Sequence, residues 1–119
     1  MLHNSSNKMK VLFTFVGLDS TPSIETYVSE KLASIEKLLE HLDPGGAAEL
    51  RLELARTTHH HHKGLVYRAS AHLKLPKKSF QAEAEGEDIR AAFDMLKNKL
   101  HNEVERYKDF LVSQERRKK

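Results

Sequence analysis

The spacing of apolar residues along this chain changes period three times, and each change marks a boundary between strand and helix. Val11, Phe13 and Phe15 repeat every second residue; Ile24, Tyr27/Val28, Leu32, Ile35, Leu38/Leu39 and Leu42 repeat every third or fourth. Period two returns from Leu50 to Ala84, and period 3.6 from Ile89 through Phe93, Leu96, Leu100, Val104 and Tyr107 to Leu111. Strands send alternate side chains to opposite faces, and helices gather every third or fourth on one stripe. The order therefore reads β-α-β-β-β-α.

Punctuation agrees. Gly17 closes the first strand, Thr21 offers an N-cap oxygen, Pro22 suits the first helical position, and Asp43-Pro44-Gly45-Gly46 stops the helix. Glu49–Arg56 alternates with Leu50, Leu52 and Leu54 inward, and Leu65–Leu75 with Tyr67, Ala69, Ala71, Leu73 and Leu75 inward. Pro76-Lys77-Lys78 turns the chain into a fourth strand carrying Phe80, Ala82 and Ala84 inward. The expected architecture is α+β: a four-stranded mixed sheet with two helices packed on one face and the other face polar. A right-handed crossover pairs the first two strands in parallel, and the following hairpins are antiparallel. Arg68, Ser70, His72 and Lys74 alternate outward, so the open face of the third strand is expected to be basic.

A length of 119 residues suits one domain. Residues 1–8 read as a disordered leader, 9–112 as the domain, and 113–119 as a short basic tail or frayed helix end. With no cysteine, disulfides, thiolate chemistry and Cys-type zinc sites are excluded. No apolar run approaches the roughly eighteen residues of a membrane span, so a soluble cytoplasmic protein without a membrane partner is expected.

Charge is unevenly placed. Residues 1–55 carry 5 basic and 8 acidic groups, residues 56–80 carry 6 and 0, and residues 81–119 carry 9 and 9. The acid-free middle contains Arg56, Lys63, Arg68, Lys74, Lys77 and Lys78 with five histidines, His59, His60, His61, His62 and His72, a pattern that attracts a polyanion such as RNA. On the last helix Arg90, Lys97, His101 and Lys108 share one flank of the apolar stripe, and Lys99 and Arg106 share the other. Together these groups can neutralise several phosphates.

The His59–His62 tract admits three readings: a polar finger reaching phosphates or bases, a metal-binding loop, or a solvated connection. Consecutive residues in an extended segment point alternately to opposite sides and do not converge on a tetrahedron, so no metal or other cofactor is expected. The chain shows no nucleophile with a base, no paired-carboxylate site and no glycine-rich phosphate loop. Gly45-Gly46 follows a helix instead of opening one, and Glu25, Glu30, Glu36 and Glu40 read as surface partners of Lys31 and Lys37. A non-enzymatic binding protein is expected.

Several segments in order resemble a known family. Thr21-Pro22 opens a helix containing Tyr27-Val28 and Glu30-Lys31-Leu32; His59–Lys63-Gly64 precedes Val66-Tyr67-Arg68-Ala69; Leu75-Pro76 follows the third strand. Ala82-Glu83-Ala84-Glu85-Gly86-Glu87-Asp88 then leads into Ala91-Ala92-Phe93-Asp94, Asn98-Lys99-Leu100 and Arg106-Tyr107-Lys108. Over Lys10 to Lys108 the chain resembles the ribosome hibernation promoting factor family, which includes ribosome-associated inhibitor A. Arg90, Asn98 and Asn102 depart from the family pattern.

The resemblance implies a double-stranded-RNA-binding-domain-like fold and docking on the small ribosomal subunit and its rRNA, not on DNA. The protein would act as a monomer off the ribosome and occlude the mRNA and A/P-site tRNA channel, silencing translation in stationary phase or stress. Carried over by position, the implied rRNA contacts are Lys31, Lys37, Lys63, Arg68, Lys99, Arg106 and Lys108, while Arg56, His59–His62, Lys74, Arg90 and Lys97 rest on charge. The alternatives are a protein-interaction regulator using the open sheet face and a His-loop metal-binding module.

Overall fold

The structure is a computed structural model that describes residues 9–43, 45–57 and 66–117. In chain order its elements are β1 (Lys10–Val16), α1 (Pro22–Leu42), β2 (Glu49–Arg56), β3 (Tyr67–Lys74), β4 (Ser79–Gly86) and α2 (Ile89–Arg117). The sheet order is β1-β2-β3-β4, with β1 and β2 parallel and the two following pairs antiparallel. This is the α+β architecture read from the periodicity. The expected leader at residues 1–8, Pro44 of the helix stop, and His59–His62 with Lys63 lie outside the described residues.

Local chemistry sets the helix ends. Thr21 is extended, and its Oγ1 accepts the Ile24 N–H at 3.2 Å, replacing one of the partners a first turn lacks. Ser20 Oγ donates to the Glu25 carboxylate beside it. At the far end the Asp43 N–H donates to the Leu39 carbonyl at 2.8 Å, and the buried Asp43 Oδ2 accepts the Ala48 N–H at 2.6 Å. The residue read as a helix stop thus also fastens the entrance of β2. Asp88 Oδ1 accepts the Ala91 N–H at 2.8 Å and so starts α2.

The core lies between the sheet and the helices. Leu50, Leu52, Leu54, Ala69, Ala71, Leu73, Phe80 and Ala84 face Val28, Leu32, Ile35 and Leu39 of α1 and Phe93, Leu96, Leu100 and Val104 of α2. Fully burying a leucine such as Leu50, Leu54 or Leu73, each 0 % exposed, contributes about 1.5–3 kcal/mol. Val11, Phe13 and Phe15 face the same way yet stay half-exposed, because β1 is an edge strand with a neighbour on one side only. At Gly86 a Cβ would lie 2.8 Å from the Ala92 nitrogen, so glycine lets α2 descend onto the end of β4. Residues 113–117, expected as tail or frayed end, continue α2, with Arg116 and Arg117 in its last turn where the helix dipole favours cations.

Candidate nucleic-acid interface

The two helices run in the same direction and are joined along one seam. Arg90 donates to Ser23 Oγ at 2.7 Å, and Tyr27 Oη donates to both carboxylate oxygens of Asp94 at 2.8 Å. These contacts pair successive turns of α1 with successive turns of α2. The Tyr27 ring meets Phe93 edge-on, with centroids 6.5 Å apart, and carries two cations: Lys31 Nζ at 5.2 Å and the Arg90 guanidinium at 5.3 Å. The hydrogen bond to Asp94 raises the Tyr27 pKa above its ordinary value; burial and the Asp94 charge add to it, and Arg90 opposes it.

The seam divides the sequence-derived candidates by role. Arg90 spends its guanidinium on Ser23 and Tyr27 and holds the helices together. Lys97 and Lys108 lie half-buried on the same flank of α2, with His101 Nδ1 3.8 Å from Glu105 between them. Lys31, over the Tyr27 ring, is exposed beside the seam, and Lys37 stands exposed on the α1 face away from the core. On the opposite flank of α2, above the edge strand β4, Lys99 Nζ donates to the Glu83 carbonyl at 2.8 Å. One stretch further, the Arg106 side chain is 78 % exposed and sits 3.5 Å from Glu103. Glu36, on the α1 flank away from α2, has its pKa raised by burial.

The outer face of the sheet differs from the expectation drawn from β3 alone. Strand register sets Arg68 between Ala55 and Glu85, Ser70 between Glu53 and Glu83, and Lys74 between Glu49 and Ser79. Arg68 lies 3.8 Å from Glu53 and 3.7 Å from Glu83, so its charge is shared with two carboxylates. Acids from β2 and β4 that are remote in sequence balance the outward cations of β3. Thr14, Arg51, Glu53, Ser70, His72, Gln81 and Glu83 line a shallow concavity of about 520 Å³ on this face. Arg56 lies at the other end, 5.8 Å from the Tyr67 ring centroid.

Lys78, one of the six cations of the acid-free middle, was not among the candidate rRNA contacts. Its Nζ sits 5.8 Å from the Phe80 centroid and 5.7 Å from that of Tyr107, two rings packed edge-on at 5.7 Å. The signal was present in the turn Pro76-Lys77-Lys78 and the inward register of Phe80, but the partner, Tyr107, comes from α2. Among the described residues no cluster of three His, Asp or Glu is arranged to hold a metal ion, and no helix is long and apolar enough to cross a membrane.

Residues 11–112 match the family described as Sigma 54 modulation protein / S30EA ribosomal protein. The chain belongs to that family. The N-terminal domain of Protein Y from Thermus thermophilus is similar to this S30EA-family protein, with 26% sequence identity and a TM-score of 0.64, covering 83% of this chain and 99% of that one. A ribosomal subunit interface protein from Coxiella burnetii shares the fold at 23% identity and a TM-score of 0.62, covering 85% of this chain and 99% of that one. Comparison with curated proteins finds no match. The family description names a ribosomal protein and the Coxiella burnetii neighbour is a ribosomal subunit interface protein, and the resemblance read from Thr21-Pro22 through Arg106-Tyr107-Lys108 is to the same group.

Proposed function

We propose that this S30EA-family protein is a cytoplasmic, non-enzymatic translation inhibitor that binds the small ribosomal subunit and fills the channel used by mRNA and the A- and P-site tRNAs. The observation that carries the reading is the placement of cations on both flanks of α2. Lys31, Lys97, Lys99 and Lys108 form no ion pair among the described residues, whereas Arg68 on the sheet is ion-paired twice. The helical layer therefore meets rRNA phosphates, and the charge-balanced sheet face turns away from them. Lys63 and His59–His62, from the acid-free middle of the chain, add phosphate contacts. Recognition is by backbone charge and shape, which carries no base sequence.

Sedimentation with vacant small subunits tests this. For about five phosphate contacts, affinity should fall on the order of a hundredfold between about 50 and 200 mM salt. Reversing Lys99, Arg106 and Lys108 to Glu should abolish co-sedimentation, and initiator tRNA should displace the wild type. Binding indifferent to salt, or tRNA bound beside the protein, would end the occlusion reading.

A further inference from the structure

The last turns of α2 leave an aromatic side chain in water. α2 has 29 residues, about 43 Å of helix, whereas β4 under it has 8, about 26 Å of strand. The edge-on pair of Tyr107 and Phe80 is, among the described residues, the last aromatic contact between the layers. Beyond it the core stripe continues to Leu111, which stays half-buried, while Phe110 is 55 % exposed.

Phe110 has cationic neighbours. Ala92, Lys99, Arg106, Phe110 and Arg117 follow one another at steps of seven, seven, four and seven residues, which places them on one flank of the helix. Ala92 at the start of this line faces Gly86, and Lys99 reaches the Glu83 carbonyl, so the flank overlooks the free edge of β4. Arg106 lies one turn before Phe110 and Arg117 two turns after it. Beneath the same end Lys78 stands 5.7 Å from the Tyr107 ring. Glu103 lies 3.5 Å from Arg106 and leaves that side chain 78 % exposed; Asp109, next to Phe110 in sequence, is set about 100° away around the helix.

An apolar ring set between cations suits a ligand with a flat apolar face and a negative backbone. We propose that Phe110 is a stacking platform for an unpaired RNA base, with Arg106 and Arg117 on the flanking phosphates, an assignment that rests on the ribosome-binding reading above. Every base has a π-face, so such a platform accepts any sequence and adds affinity that salt does not screen. A second copy of this chain suits the site poorly. One exposed ring falls far short of the roughly 1,000 Å² of a specific protein interface, and the flanking cations of two copies would repel.

The test measures affinity of the full chain for vacant small subunits at several salt concentrations for wild type, F110A, F110W and R106E, with urea unfolding of each protein. Stacking predicts that F110A binds about five- to a hundredfold more weakly with an unchanged salt slope, that F110W recovers wild-type affinity, and that R106E flattens the slope. If F110A and wild type bind equally while R106E binds more weakly, the platform is wrong and ribosome binding stands. If wild type itself does not bind, both readings fall. A wild type that sediments as a dimer, and an F110A variant that does not, would assign the ring to self-association and overturn the proposal.

Discussion

Tyr27 and Asp94, 67 positions apart in the chain, share a bifurcated hydrogen bond in which one hydroxyl serves both carboxylate oxygens at 2.8 Å. It fixes the relative height of the two helices, and with it the spacing between the cations of α1 and those of α2. Any rigid positively charged surface on the helical layer depends on this bond, because helices sliding past each other would change which phosphates Lys31 and Lys97 can reach together.

Removing the hydroxyl should therefore cost stability without disturbing the core. Tyr27→Phe is expected to lose about 1 kcal/mol in urea unfolding, the usual worth of one such bond. It should also change the alkaline limb. Because the folded-state pKa of Tyr27 is raised above 10.0, its contribution is complete below that pH and is lost as pH rises through the folded value. Wild type should lose stability more steeply than Tyr27→Phe above about pH 10. Parallel limbs for the two proteins would show that the bond does not persist in solution.

Arg90 and Lys97 occupy one flank of α2 yet should fail in different assays. Arg90→Ala removes the link to Ser23 and the cation over Tyr27, and is expected to lower stability by about 1 kcal/mol with the salt slope of ribosome binding unchanged. Lys97→Ala should stay within about 0.5 kcal/mol of wild-type stability and reduce the salt slope by about one phosphate. The reverse pattern would assign Arg90 to the RNA and leave the seam to Tyr27 alone.

Gly86→Ala places a methyl group 2.8 Å from the Ala92 backbone nitrogen, where no flexible side chain is available to move. The start of α2 must lift off β4, at about 1–3 kcal/mol by analogy with overpacked cores. Thermal unfolding measures this directly. A variant as stable as wild type would mean that α2 does not approach the strand so closely.

Glu36 gives a pH signature of the opposite chemical sense to a salt-bridged acid. Burial raises its pKa above 4.5, so the fold favours the protonated carboxyl: its contribution is complete below the ordinary value and is lost as pH rises through the folded one. Glu36→Gln should stabilise the protein at pH 7, with the gain shrinking toward pH 4. Urea midpoints at the two pH values decide it, and an equal gain at both would point to a cause other than charge burial.

Period and punctuation alone located every helix and strand, because a 3.6 or 2.0 repeat is a local property that needs no knowledge of the partner. Thr21 before Pro22 marked the start of α1, and Leu50, Leu52 and Leu54 marked the buried face of β2. The candidate site was only half legible. Arg90, Lys97 and Lys108 look equivalent along the helix, and the difference between a seam residue and an open cation appears only when Ser23 and Tyr27 are brought alongside.

Charge behaved in the same way. Amino-acid order determined that residues 56–80 hold no acid, that α1 and α2 are amphipathic, and that the topology is β-α-β-β-β-α, since backbone preference and side-chain alternation act within a few residues. Only the folded sheet could set Glu53 and Glu83 beside Arg68, place Lys78 on Tyr107, and carry Phe110 past the end of β4 into solvent. Electrostatic and packing energies depend on distances of a few ångströms, and those distances join residues that the linear order leaves far apart.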